Sequence, residues 1–445
     1  MGTKRDMIID YDRSNRKRGK RGKKHNWFFV FLILILICIG LIAFITIKEK
    51  IYAGNNRTDN PKPNTNVATI TPKNEPTKSP ARTPSIMPTT ISTITPIQVP
   101  SEEADSLEVV NRREPTVVKG IYLTANTVES VKMNDILTMV ETSEINALVI
   151  DVKGDEGKIS YDMDHPVAKE IGAVTNTISD INALISTLKS KNIYLIARVV
   201  AFKDPYLAEK RNDLAIRNKD GSLFRDNNGE CWVNPYNKEV WDYLIEVSKQ
   251  AAAVGFDEIQ FDYIRFSTGK GIAEADFGED AKTKSKEEII TEFTKYAYKK
   301  IKPLGVYMSA DVYGTIISSS IDAGLVGQNY VEMSKYLDYI CPMIYPSHFG
   351  AGNYGIEYPD LEPYNIIRKV LTASLMKLDQ IPEGEHRAIV RPWLQDFTAT
   401  WVKNYMEYGG EELRQQIEGV YSVGYSEWLL WNAACIYSED GLLEE

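Results

Sequence analysis

Histidine and cysteine are scarce, with four of each in 445 residues. None of the histidines (His25, His165, His348, His386) has metal-ligand spacing, so no structural or catalytic zinc and no cofactor is expected. Cys38 falls in an apolar run and only Cys231, Cys341 and Cys435 fall in the main body, so at most one bridge can form there. Cys341 and Cys435 sit inside apolar runs and read as small buried hydrophobes. A Ser–His pairing for ester or amide hydrolysis is also missing. The first strand-like run ends Tyr122-Leu123-Thr124-Ala125-Asn126, without the glycine turn of a nucleotide-binding open sheet, and no phosphate-binding lysine loop follows. Positive charge is missing from the body as well. Residues 1–26 hold ten Lys/Arg against three Asp, which leaves 42 basic and 58 acidic residues beyond them. An acidic body argues against nucleic acid as a partner, because phosphate binding needs a positive surface.

What is present begins with an anchor. Trp27 to Ile47 is an uninterrupted apolar run of 21 residues, long enough for one transmembrane helix. It ends in Lys48-Glu49-Lys50 and has no good cleavage site, so an uncleaved span is expected rather than a signal peptide. The basic head (1–26) should stay cytoplasmic and place the C-terminal body extracytoplasmically at the cell membrane, single-pass. Residues 48–114 carry nine of the chain's 20 prolines, between Pro61 and Pro100, among Thr, Ser, Asn and Lys. Such composition cannot bury enough apolar surface to offset chain entropy and reads as a disordered Pro/Thr-rich linker.

From residue 115 to 445 the pattern changes to α/β. Eight apolar runs suit buried parallel strands: Val118–Thr124, Ala147–Lys153, Ile193–Phe202, Glu258–Phe266, Tyr307–Gly314, Asp338–Pro346, Ala388–Phe397 and Glu427–Ala434. Helical stretches alternate with them, among them Met133–Ser143, Ser179–Lys191, Lys238–Val254, Glu287–Lys302, Tyr364–Leu378 and Tyr405–Val423. Eight βα units over this length predict a single (β/α)8 TIM barrel.

In such a barrel the site sits at the C-terminal strand ends. Charged residues fall there on runs 2, 3, 4, 5 and 7, and five charges converging on one mouth are costly unless paired or used. Asp262 and Asp311 end neighbouring runs 4 and 5, so their carboxylates should face one cleft. Glycoside cleavage needs two carboxyls, one to protonate the leaving oxygen and one to attack the anomeric carbon or activate water. Asp151 is a candidate third acid for a sugar hydroxyl, and Arg198 a candidate partner for Asp262. Tyr345, Trp393, Gln395 and Trp431 at strand ends are candidate substrate-binding groups. So are Trp232 and Asn234 in the long polar loop 203–237. The loop 267–282, with three glycines and several acids, is a candidate lid.

The runs FDYIRF (261–266), ALVIDVKGDEG (147–157), CPMIYPSHF (341–349) and RPWLQDF (391–397) resemble the bacterial "putative glycoside hydrolase domain" family, over about Val117–Asp440. The resemblance implies a barrel of the glycosidase superfamily whose substrate is unknown. An acid at strand 4 is also similar to the α-amylase-like and α-galactosidase-like clans, where that Asp is the nucleophile. Those barrels commonly place a Glu acid on strand 5, where this chain has Asp311. The expected function is therefore a glycosidase acting on a cell-wall or extracellular polysaccharide or oligosaccharide. The alternative is a non-catalytic glycan-binding, wall-organising barrel.

Overall fold

The computed structural model describes residues 114–444. The basic head, the apolar run and nearly all of the Pro/Thr-rich segment lie outside the described residues, and no helix among the described residues is long and apolar enough to cross a membrane.

The eight runs become eight parallel strands: β1 Lys119–Leu123, β2 Ala147–Lys153, β3 Tyr194–Val200, β4 Glu258–Asp262, β5 Tyr307–Tyr313, β6 Tyr339–Met343, β7 in two pieces (Ile389–Val390 and Trp393–Gln395) and β8 Trp428–Trp431. Each pairs with its sequence neighbour, β8 pairs with β1, and Trp393 of β7 pairs with Met343 of β6, so the sheet closes on itself. β7 is split because Arg391-Pro392 interrupts the ladder; proline has no N–H to donate. At Gly120 the wall is tight, since a Cβ would lie 2.7 Å from Leu429 Cδ2.

The helices form where the sequence supplies caps. Asp180 caps Ile181–Ser190, Asn237 caps Lys238–Val254, and Ser285 with Glu288 makes a reciprocal capping box for Lys286–Ile301. The stretch expected as a helix from Tyr405 begins only at Gly410, because Tyr405–Gly409 is loop. The other face of each strand meets this outer layer: Phe261 of β4 meets Phe293 of Lys286–Ile301 at 5.4 Å, and Trp241 meets the same ring at 5.5 Å. Each such buried side chain contributes about 1.5–3 kcal/mol. Cys231, Cys341 and Cys435 are all buried and unbridged.

Alternate residues of each strand face the barrel interior, and at its lower end that interior is charged. Arg391, at the break in β7, reaches across to Glu258 of β4 at 2.9 Å and to Glu427 beside β8 at 2.7 Å. Tyr194 donates to Glu258 at 3.0 Å and the Tyr339 ring lies 3.6 Å from the guanidinium. Arg391 was counted among the charges expected at the mouth. It belongs instead to the opposite end, because it precedes the strand piece that reaches the mouth.

Two long loops are tied together above the mouth. Arg217–Asn218 of the β3 loop pairs antiparallel with Ala275–Asp276 of the β4 loop. Asn234 donates to the Phe277 carbonyl at 3.0 Å, and Asn227 accepts from Lys270 N at 3.0 Å. The segment expected as a lid is thus fastened to its neighbour.

Removing Arg391 strands two buried carboxylates. Arg391→Met is expected to cost about 3–5 kcal/mol, read as a lower denaturant midpoint. Combining it with Glu258→Gln is expected to cost less than the sum of the single changes.

Candidate active site

The site starts from strand register. Phe261 pairs with Ala310, so the next residues, Asp262 and Asp311, stand side by side on β4 and β5. Alternate residues of a strand share a face, so Glu258, Gln260 and Asp262 form one inward column and Ser309, Asp311 and Tyr313 the next.

Arg198 on β3 organises the acids. Its Nε and Nη2 donate to Asp262 Oδ2 at 3.0 and 2.6 Å. Nη1 donates to Asp151 Oδ1 at 2.6 Å, and Nη2 also to Asp155 Oδ1 at 2.9 Å. The Tyr122 hydroxyl donates to the other oxygen of Asp151 at 2.6 Å. Tyr122 and Trp431 stack at 4.3 Å, and the guanidinium lies 5.5 and 5.6 Å from their ring centres. Lys203 adds positive charge 3.7 Å from Asp155 and 3.2 Å from Glu230.

Asp262 Oδ1 accepts the N–H of Tyr263 at 2.6 Å. With the two bonds from Arg198, the carboxylate receives three N–H donors. Tyr263 has a φ of 48°, a left-handed conformation that costs a non-glycine residue on the order of 1–3 kcal/mol. That backbone turns its N–H back onto the preceding side chain. Asp311 is held differently: Trp393 Nε1 donates to its Oδ1 at 2.7 Å across the barrel. Burial first, then the charge of Asp262, pushes the Asp311 carboxyl well above the usual carboxylate range, against the weaker pull of Trp393 and Arg198. For Asp151 burial also prevails over Arg198 and raises the carboxyl, whereas for Asp155 burial is outweighed by Arg198 and Lys203 and the carboxyl is lowered. Two neighbouring carboxyls in environments this unequal suit acid and base roles.

The cleft above these groups is open to solvent, with about 440 Å³ of empty space when its mouth is included. Of the residues singled out from sequence, Asp262, Asp311, Arg198, Tyr345, Trp393 and Trp431 line it. Asp151 sits behind Arg198 instead. Trp232 is buried, donates to Asp226 Oδ2 at 2.9 Å and backs the Tyr263 ring at 5.9 Å. Asn234 ties the two long loops together. Gln395 is fully buried and accepts from the backbone and hydroxyl of Ser347. These three support the walls and do not face the cleft. Tyr263, Arg265, Tyr313 and Met343 also line it. Tyr313 and Met343 were findable, each two residues from another inward position. Tyr263 and Arg265 were not, because the left-handed residue breaks the alternation. Among the described residues, no group of three or more His, Cys, Asp or Glu is placed to hold a metal ion.

The fold is a closed parallel barrel with two acids at the C-terminal ends of β4 and β5. The chain belongs to the family described as "Putative glycosyl hydrolase domain", which matches residues 120–437. It is 41% identical to a hypothetical protein of Ruminiclostridium thermocellum, covering 43% of this chain and 97% of that one, with a TM-score of 0.40. It shares its fold with the PgaB (BpsB) glycoside hydrolase domain of Bordetella bronchiseptica, at 11% identity and a TM-score of 0.53, covering 72% of this chain and 95% of that one. Among curated proteins, none matches the chain.

The raised Asp311 carboxyl has a stability consequence. Its folded pKa lies above its unfolded value, so the stability it lends is full below the unfolded pKa and is lost as pH rises through the folded one. Asp311→Asn is expected to melt above the wild type at about pH 7, with the difference shrinking toward about pH 4, by calorimetry.

Proposed function

We propose that the protein is a glycosidase that cleaves a cell-wall or extracellular polysaccharide with Asp262 and Asp311. Asp311 is the acid: its proton passes to the glycosidic oxygen as the bond to the anomeric carbon breaks. Asp262, receiving three N–H donors, is the carboxylate that attacks that carbon. Water then displaces it, with Asp311 taking the water's proton. The observation that carries this reading is the unequal pair, Asp262 pinned by Arg198 and Asp311 raised by burial and by the charge of Asp262. Adjacent strands in the same register favour the close spacing of a retaining double displacement, about 5–5.5 Å between carboxyls. Tyr345, Trp393 and Trp431 line the cleft and give it aromatic surface for a sugar to contact.

The test is release of reducing sugar by the full chain from a panel of wall glycans and exopolysaccharides. Asp262→Asn is expected to abolish turnover in a folded protein, and Asp311→Asn to lower kcat by about 10²–10⁴. Wild-type activity should fall as pH rises through the raised Asp311 pKa, and Asp311→Asn should flatten that limb. Full activity in both Asn variants sinks the assignment. Glycan binding without turnover, surviving both substitutions, points to the wall-organising alternative. NMR of the first product reads retention directly.

We further propose that the run from Trp27 to Ile47 anchors the protein in the cell membrane, with the basic head inside and the barrel outside. The full chain is then expected in the membrane fraction and released by detergent but not by high salt. External protease on intact cells should reach the barrel. Recovery of the uncleaved chain in the soluble fraction overturns the anchor.

A further inference from the structure

Aromatic side chains bury a large apolar area, and tryptophan is highly buried on average. Trp401 is 39% exposed, Tyr358 39% and Tyr405 43%, and all three belong to the loops that follow β6 and β7. These loops leave the C-terminal ends of the strands, on the same side as the cleft. Trp401 is joined to the cleft by a run of rings. Tyr345 lines the cleft, Phe397 meets Tyr345 at 5.8 Å, and Trp401 stacks on Phe397 at 5.9 Å with planes 19° apart.

The rings are held in place from beneath. His348 is buried among Tyr345, Phe397 and Trp401 at 5.2, 6.3 and 6.4 Å. Burial pushes its imidazole down to about 3, so the ring packed against Tyr345, Phe397 and Trp401 is neutral. His348 Nδ1 lies 2.9 Å from the Ser347 hydroxyl, which donates to Gln395 Oε1 at 2.7 Å. Gln395 Nε2 in turn donates to Asp360 Oδ1 at 3.3 Å. Asp360, only 2% exposed, accepts the Met406 N–H at 3.3 Å on its other oxygen, and its carbonyl accepts the Tyr408 hydroxyl at 3.0 Å. One buried carboxylate therefore fastens the β6 loop to the β7 loop and fixes the strip that carries Trp401. Loops at a barrel mouth that are tied this way present a preorganised surface, which lowers the ordering cost of binding.

We propose that Phe397 and Trp401 form a distal sugar-binding platform continuous with the cleft, so that the protein holds an oligomeric stretch of uncharged glycan and not a single terminal sugar. This rests on the glycosidase reading above. The occupant follows from the chemistry. A pyranose ring shows an apolar C–H face to a flat aromatic and its hydroxyls to the cleft edge. On the opposite side the cleft wall is the charged Arg198, backed by Asp151, Asp155 and Lys203. An oligomer entering the cleft thus finds its ring-stacking surface on the β6–β7 side, where Trp401 extends it.

The test uses the full chain carrying Asp262→Asn to block turnover. It is titrated calorimetrically with cello-, chito- and xylo-oligosaccharides and with size-fractionated fragments of whichever glycan the wild type hydrolyses. Affinity is expected to rise with length. Adding Trp401→Ala is expected to flatten that rise, lowering the affinity of the longest oligomers about tenfold, while Trp401→Phe keeps most of it. Melting curves of both variants separate loss of the platform from loss of the fold. The same dependence on length with and without Trp401→Ala overturns the platform, as does binding of no oligomer at any length. If the wild type still releases reducing sugar in either case, the glycosidase reading stands and the platform alone falls. If it releases none from any glycan, both fall.

Discussion

Arg198 faces three carboxylates from inside a protein barrel, and the upper half of the structure depends on that contact. A guanidinium that is nearly fully buried costs several kcal/mol to desolvate, and three acids clustered without it would repel one another. Its planar fork offers donors in several directions at once, which a lysine ammonium does not. Asp262, Asp151 and Asp155 each take one of those directions. The Tyr122–Trp431 stack beside the guanidinium limits where it can move. The same contact fixes the asymmetry of the acid pair: Asp262 receives the cation, while Asp311 receives a neutral indole N–H and lies beside the Asp262 charge.

A second arginine occupies the other end of the same interior. Arg391 is fully buried between Glu258 and Glu427, below the inward column that rises from Glu258 through Gln260 to Asp262. Both ends of the barrel interior therefore hold an ion network, but the two differ in access. The lower network is buried, with Arg391 and Glu258 fully covered and Glu427 nearly so, and it ties β4, β7 and the start of β8 together. The upper one opens into a cleft. Polar layers of this kind are stable only when each charge is partnered, which couples the placement of β3, β4, β7 and β8 to the geometry of the site.

The strands and most helices were legible because their signals are local. Apolar runs, caps such as Ser285 and the glycine at 255 mark elements within a few residues of themselves. The acid pair was legible for a related reason: once the runs are numbered, residues at equivalent strand ends fall beside one another, and the register of Phe261 with Ala310 bears this out. Gln395, Asn234 and Trp232 were harder. Their residue types suit sugar binding, but their side chains are taken up by Ser347 and Asp360, by Phe397 and Phe277 carbonyls, and by Asp226. Partners so distant in sequence leave no local trace.

The sequence by itself determined the alternation of strand and helix, the family, and which carboxylates end which strands, because each depends on periodicity and order along one segment. Tertiary structure decided what those groups experience. Arg391 fell to the sealed end because a proline splits β7, and Tyr263 turned its N–H onto Asp262 through a left-handed backbone. Asp311 acquired its raised carboxyl only when the barrel buried it beside Asp262, an effect that outweighs the opposing hydrogen bond from Trp393. Electrostatic environment is set by burial and by neighbours across the barrel, and those exist only after the chain has closed on itself.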